Sequence, residues 1–261
     1  MIGVFDSGIG GLTVVRAIME RLPGYDILYF GDTARTPYGS KSPSTVIKYA
    51  IENTEFLLSQ GARVVVLACN TASSLATDIL RQRFNIPIFE VISPAAELAA
   101  RVSPQGRIGI IGTRATIASG AYEALIKARR PESRIFSQAC PLLVPLVEEG
   151  WLNKPETRMI VKDYLRPLKI RQIDTLILGC THYPLLTNLI QNKIGQRVRV
   201  IDSSTGVVNR ILTVLEHHPG WCKGLRREGT YRFVVSDATD RFESIAGTIL
   251  KQHIRLEVIT G

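Results

Sequence analysis

The stretch VVVLACNT at residues 64–71 has a counterpart in TLILGCTH at residues 175–182. Each is an apolar run of strand length, then a small residue, a cysteine and polar hydrogen-bonding side chains. Neither run alternates as a half-exposed strand would. Both suit parallel strands buried on two faces. A second pair, Ile2-Gly3-Val4-Phe5-Asp6-Ser7 and Ile108-Gly109-Ile110-Ile111-Gly112-Thr113, adds to a weak internal duplication.

Outward from these runs, strand patterns occur at 26–30, 86–91, 198–201 and 231–235, with a short one from Ile135. Helical patterns cover 12–21, 44–59, the Ala/Leu-rich stretch to about Phe84, 117–127, 207–216 and 240–251. Strands alternating with helices of this length make α/β crossover units. The expected fold is two similar α/β domains, each with a mainly parallel sheet flanked by helices, and an active site in the cleft between them. The first domain is read as 1–95 and the second as 96–206. The segment 207–261 is expected to pack back on the first, because chain ends tend to lie close together. Open parallel sheets bind ligands beyond their strand carboxyl ends, where the polar loops fall.

Composition narrows the function classes. The chain has 261 residues, 45% apolar and 21% charged, as soluble globular proteins do. No apolar run reaches the roughly 18 residues of a spanning helix. The start, MIGVFDSGIGG, lacks the basic region of a secretory signal. A cytoplasmic protein that does not meet the membrane is expected. Four cysteines, at 69, 140, 180 and 222, are too sparse for a disulfide framework and lack metal-ligand spacing. The net charge of +9 favours anionic ligands. Its short basic groups, 127–130 and 223–227, read as solvated surface, so specific nucleic-acid binding is not expected.

Cys69 and Cys180 centre the chemical case. Each follows a strand and precedes polar residues that can open a helix, and a helix N-terminus lowers a thiol pKa. In matching positions of two domains they would face one another across a cleft. His182, two residues past Cys180, is placed to polarise a thiol or bind a carboxylate. Asp6 and Asp32 sit in strand-end turns, where a backbone-bonding role is the competing reading. Glu148 lies in an apolar stretch, where an unpartnered carboxylate is costly. Ser7, Ser40, Asn70, Thr71, Thr113, Thr116 and Thr181 offer small polar groups that cradle a zwitterion. Cys140 and Cys222 read as structural. The turn Gly8-Ile9-Gly10-Gly11 is not G-x-G-x-x-G and has no P-loop lysine, and Asp6-Ser7-Gly8 is no nucleophile elbow.

Six blocks in order, GVFDSGIGGLTV (3–14), YFGDTARTPYG (29–39), ACNTAS (68–73), GTRATI (112–117), VPLVEEG (144–150) and LGCTHYPLL (178–186), closely resemble the bacterial glutamate racemase family. The resemblance runs from the first residues to about Gly206. It implies two α/β domains, no cofactor and no metal, and interconversion of L- and D-glutamate for peptidoglycan. It also implies site roles. Cys69 would act on the D-glutamate side with Asp6, and Cys180 on the L side with His182. Asp32 and Glu148 match acidic residues near the site. Ser7, Tyr38, Gly39, Ser40, Asn70, Thr71, Thr113, Thr116 and Thr181, with Asp6 and His182, match substrate-contacting blocks. A homodimer is the expected assembly. Departures are Asp202-Ser203-Ser204-Thr205, where Asp-Ser followed by Gly or Ala is more usual, and the tail around Val235-Ser236-Asp237-Ala238. The chain starts just before GVFDSG, as the shorter members without an activator-associated extension do.

Racemisation needs the α-proton removed from one face and returned to the other, which two opposed bases accomplish. Three readings compete. One is a related cofactor-independent racemase acting on aspartate or a similar acid. Another is a non-catalytic α/β protein binding anions or nucleic acid. The third is a thiol hydrolase using one Cys–His pair, which leaves Cys69 without a role.

Overall fold

The computed structural model describes residues 1–217, 224–238 and 240–259. Strand β1 (Ile2–Asp6) pairs with β2 (Ile27–Gly31) on one side and β3 (Val64–Leu67) on the other. Strand β4 (Ile88–Glu90) flanks β3. The second sheet centres on β5 (Arg107–Gly112), between β6 (Arg134–Ala139) and β7 (Thr175–Gly179), with β8 (Arg199–Asp202) beyond β7. From the tail, β9 (Tyr231–Val235) joins the first sheet beside β2, and β10 (Glu257–Val258) lies beside β9. Every pairing is parallel, and the orders are β10-β9-β2-β1-β3-β4 and β6-β5-β7-β8. The run β2-β1-β3-β4 of the first sheet repeats the order of the second. The strands β3 and β7, which carry the duplicated sequence, hold equivalent places. The two α/β domains with parallel sheets are therefore present.

Helix α1 (Leu12–Arg21) turns Leu12, Val14, Val15 and Ile18 into the core. Helix α2 (Pro43–Ser59) covers the opposite face of the first sheet, together with α3 (Asn70–Arg83). Ser42 caps α2 by accepting the Thr45 N–H at 3.3 Å, and Pro43 opens it, where a missing N–H costs nothing. The chain thus leaves β1 towards one neighbour and returns by α2 to the other. The carboxyl ends of β1 and β3 mark a reversal of strand order. The ends of β5 and β7 do the same in the second sheet. Such reversals leave a crevice for a ligand.

Several helices were not legible from the sequence pattern. Helix α4 (Ile92–Val102) buries a stripe of Ala95, Ala96, Ala99 and Ala100, too small to stand out as a hydrophobic face. Between Glu148 and the β7 strand lies α8 (Pro155–Ile170), buried only at Thr157, Val161, Leu165 and Leu168. Helix α9 (Thr187–Ile194) is short. The pattern at 117–127 is split into α5 (Arg114–Ala118) and α6 (Ala121–Arg129) at Gly120, which has φ +66°. Helix α7 (Leu143–Glu148) follows β6. Helix α10 (Ser203–His217) begins four residues before the expected Val207, because the Asp202 carboxylate accepts the Ser204 N–H at 2.8 Å and caps the extra turn. Residues 203–206 are therefore helix, not loop. Helix α11 (Asp240–Leu250) lies between β9 and β10.

One core cluster runs through both domains. It joins Ile2, Val4 and Val66 of the first sheet to Ile108, Ile110 and Ile177 of the second through the inner faces of α4 and α10. Among the described residues no helix is long and apolar enough to cross a membrane.

The tail is also held by polar contacts. Buried Asp26 donates its N–H to the Arg226 carbonyl at 3.1 Å. Its carboxylate accepts the N–H groups of Glu228 at 3.0 Å and Thr230 at 3.1 Å. Replacing Asp26 by alanine removes the oxygen that accepts both N–H groups and is expected to cost about 1–3 kcal/mol. Amide exchange at Glu228 and Thr230 should accelerate and the melting temperature should fall. Unchanged exchange at both amides would contradict this anchoring.

Candidate active site

Cys69 ends the β3 segment and stands at the N-cap of α3. The residue is 5% exposed, and its sulfur donates to Ser7 Oγ at 3.6 Å. The thiol is pushed up to about 12, first by burial and then by the negative charge of Asp6. The Ala72 N–H and the Ser7 hydroxyl oppose this without overcoming it. The expectation that a helix N-terminus lowers this thiol is therefore wrong for the closed site. Desolvation and a neighbouring carboxylate outweigh the first turn of the helix.

Cys180 ends the β7 segment, 6% exposed, and is followed by a 3-10 turn at Tyr183–Leu186, not by a regular helix. Its sulfur lies 3.8 Å from His182 Nδ1. His182 Nε2 is in turn 3.1 Å from Glu148 Oε1 at the end of α7. Burial works against charge on His182. The hydrogen bonds and charges of Cys180 and Glu148 outweigh it and hold the imidazole well above its ordinary value. Glu148 thus has the partner that its apolar surroundings demanded. The two thiols differ in surroundings, one beside a carboxylate and the other beside a histidine–glutamate pair.

Asp6 joins the two halves. Its carboxylate accepts the N–H groups of Gly8 at 3.2 Å and Gly11 at 3.0 Å, and the Thr181 hydroxyl from the second domain at 3.3 Å. Burial raises its pKa, while the charge of His182 and these hydrogen bonds pull against the rise. The glycines of the 8–11 turn permit this contact. A Cβ on Gly10 would sit 2.6 Å from both His182 Nδ1 and Thr181 Oγ1. The turn Gly8-Ile9-Gly10-Gly11 is a surface of close approach between domains.

Two further polar links cross the boundary. The hydroxyls of Thr71, Thr113 and Thr116 form a triangle with sides of 2.9, 3.1 and 3.0 Å. The Asn70 side chain donates to Ser203 Oγ at 3.2 Å and accepts from the Tyr122 hydroxyl at 2.6 Å. Thus Asp6, Ser7, Cys69, Asn70, Thr71, Thr113, Thr116, Cys180, Thr181 and His182 form one buried cluster, with half-buried Glu148 at its edge.

Asp32 is buried but engages other groups. Its oxygens accept the Arg35 Nε–H at 2.8 and 2.7 Å, the Tyr38 hydroxyl, and Ser236 Oγ at 3.3 Å. Arg35 also bonds Asn53 Oδ1 at 2.9 Å and stacks 4.1 Å from the centre of the Tyr49 ring. None of the Asp32 hydrogen bonds reaches either sulfur. It anchors the 33–40 segment, whose Gly39 abuts Thr113 so closely that a Cβ there would lie 2.3 Å from Thr113 Cβ. Tyr38 points into that anchor, accepting from Asn53 Nδ2 at 3.0 Å. Ser40 is exposed, and its hydroxyl donates to the Pro37 carbonyl at 3.3 Å, outside the buried cluster.

Sequence reasoning missed Arg35, Tyr122 and Ser203. Arg35 carried a signal, standing three residues after Asp32 in a buried turn. The other two carried none in their local sequence. Cys140 is buried, with its sulfur 3.6 Å from the Gln138 carbonyl, and Cys222 lies outside the described residues. In the 127–130 group, Arg129 and Arg130 pair with Glu97 and Glu132. Among the described residues no cluster of three or more His, Cys, Asp or Glu side chains is arranged to hold a metal ion.

Comparison with known proteins shows the family. Residues 2–211 match the Asp/Glu/Hydantoin racemase family. The glutamate racemase of Syntrophus aciditrophicus strain SB is 48% identical over 250 residues, spanning 95% of this chain and 92% of that protein. Among solved structures, a glutamate racemase from Bacillus anthracis superposes with a TM-score of 0.93 at 37% identity, covering 100% of this chain and 97% of that one. The glutamate racemase of Francisella tularensis, solved in complex with D-glutamate, gives 0.90 at 37% identity, covering 99% and 97%. With a fold shared over its whole length and a sequence match this extensive, the chain belongs to the Asp/Glu/hydantoin racemase family and, within it, to the glutamate racemases.

Proposed function

We propose that this chain interconverts L- and D-glutamate by passing the α-proton between Cys69 and Cys180, with no cofactor, and supplies D-glutamate for peptidoglycan. The observation that carries the reading is the pair of buried thiols at equivalent strand ends, each with a different ionisable partner. In the L-to-D direction the Cys180 thiolate takes the α-proton and becomes a thiol. The C–H electron pair passes into the α-carboxylate, giving an enediolate. The Cys69 thiol delivers its proton to the opposite face and becomes the thiolate. The D-to-L direction reverses each step. The assignment of faces follows the family resemblance, and the need for two groups follows from stereochemistry.

The surroundings suit these roles. Burial and Asp6 keep Cys69 loaded with a proton. His182, supported by Glu148, balances negative charge on Cys180. The hydroxyls of Thr71, Thr113, Thr116 and Thr181, with Ser7 and Asn70, are the donors for the substrate carboxylates and the developing enediolate. Asp32 and Tyr38 act by holding the 33–40 segment against the second domain. A homodimer in the cytoplasm is proposed with this reading, and light scattering of the purified chain reads the assembly.

Chiral analysis of the dialysed protein tests the substrate. Glutamate of either hand should approach a racemic mixture, while aspartate is left unchanged. Turnover of aspartate at the rate of glutamate would move the reading to the related racemases. Cys69→Ala and Cys180→Ala should each lower racemisation by at least about a thousandfold, since each removes one face's proton carrier. Near-normal racemisation by either variant would defeat the two-thiol scheme.

His182 gives a pH prediction. Its folded pKa lies above 6.5, so its contribution to stability is complete below that value and is lost as pH rises through the folded pKa. The melting-temperature advantage of the wild type over His182→Asn should therefore shrink with rising pH. The ring resonance of His182 should stay in its protonated position beyond pH 6.5, and Glu148→Gln should bring its titration down. An unaltered titration in that variant would contradict the support by Glu148.

A further inference from the structure

The gap between the two thiols has no direct backbone control. Each cysteine is fixed on its own sheet, and among the described residues no strand pairing joins the sheets. Side chains that bridge the domains must set the gap. Asp6–Thr181 and the Thr71–Thr113–Thr116 triangle are two such bridges. On the reading above, these groups turn to the substrate when it binds, so they exchange partners during each turnover. The third bridge is Tyr122.

Tyr122 projects from α6 and is 2% exposed. Its ring lies against the backbone one residue before Cys180. A Cβ on Gly179 would sit 3.1 Å from Tyr122 Cε2 and 2.8 Å from the Ile111 carbonyl oxygen. Its hydroxyl donates at 2.6 Å to Asn70 Oδ1, on the residue directly after Cys69. Ser203, at the start of α10, holds the other end of the same amide at 3.2 Å. One rigid aromatic side chain thus touches the strand end that carries one thiol and the helix start that carries the other. Burial, with the charge of Glu90, keeps the phenol protonated and so a donor.

We infer that Tyr122 is a positioning residue that fixes the separation of the Cys69 and Cys180 strand ends across which the α-proton is handed. The inference rests on the two-thiol reading. It predicts a selective defect. Racemisation needs both thiols at once, whereas elimination from 3-chloroglutamate needs only one. In that elimination one thiolate takes the α-proton and the C–H pair forms the Cα–Cβ double bond. Chloride departs with the C–Cl pair, and water then releases ammonia to leave 2-oxoglutarate. A change in the gap between thiols should damage the first reaction and spare the second.

The experiment compares both reactions in the wild type, Tyr122→Phe and Ser203→Ala. Phenylalanine keeps the ring and removes only the hydroxyl. Its racemisation kcat should fall about ten- to a hundredfold, while the KM for glutamate and the elimination rate stay within about threefold of wild type. Ser203→Ala loosens the other end of the amide and should give the same pattern with a smaller fall, which keeps the test open if Tyr122→Phe does not fold. A ratio of racemisation to elimination equal to or above the wild-type value, in whichever variants fold, would overturn the inference. That includes equal losses in both reactions, the signature of a merely structural side chain. Failure of the wild type to racemise glutamate would instead defeat the proposed function, whatever Tyr122 does.

Discussion

The buried carboxylate of Asp6 is the interaction on which the site depends. A carboxylate taken out of water is costly unless its oxygens are satisfied. Here they accept two N–H groups from the adjoining turn and a hydroxyl from the other domain. The turn must therefore fold tightly around Asp6, and the second domain must come within hydrogen-bond reach. Both demands require a chain without side chains at Gly10 and Gly11, where a Cβ would strike His182 or Asp6 itself. The same carboxylate raises the Cys69 thiol and faces the charge of His182. One group thus links the domain contact to the unequal electrostatics of the two thiols.

That inequality gives the site a direction for its protons at rest. A thiol held near 12 stays protonated, and a histidine backed by glutamate stays cationic beside the other sulfur. The threonine triangle completes the closed arrangement. Neutral hydroxyl–hydroxyl bonds contribute about 1 kcal/mol each, whereas bonds to an ionised carboxylate are roughly twice as strong. On the proposed reading, a substrate carboxylate outcompetes the mutual bonds of Thr71, Thr113 and Thr116.

Much of this was legible in the sequence because it is local. The runs at 64–71 and 175–182 are continuous and apolar, so they read as buried parallel strands, and the cysteines at their ends followed. The strand-end polar residues fell where doubly wound sheets collect ligands. Other features depend on partners distant in sequence. The alanine face of α4 carries too little hydrophobicity to be seen until α10 packs on it. Residues 203–206 looked like a loop because Asp202 supplies the cap that makes them helical. Cys69 looked activated because its helix start is local, while Asp6 and the desolvating domain are not. Asp32 looked like a second site carboxylate, yet Arg35 and Tyr38 occupy it. Tyr122 had no motif at all, since its contacts are to Gly179 and Asn70.

The central claim is that two different groups serve the two faces of the α-carbon, and isotope placement in D2O tests it most directly. L-glutamate is incubated with the enzyme, and α-hydrogen is read separately in each enantiomer while conversion is still small. Two thiols in exchange with solvent predict that the first D-glutamate formed carries deuterium at the α-position, while the remaining L-glutamate stays largely protiated. Early D-glutamate that keeps the substrate's own α-hydrogen, or deuterium entering both enantiomers equally from the start, would mean a single base working on both faces and would contradict the account.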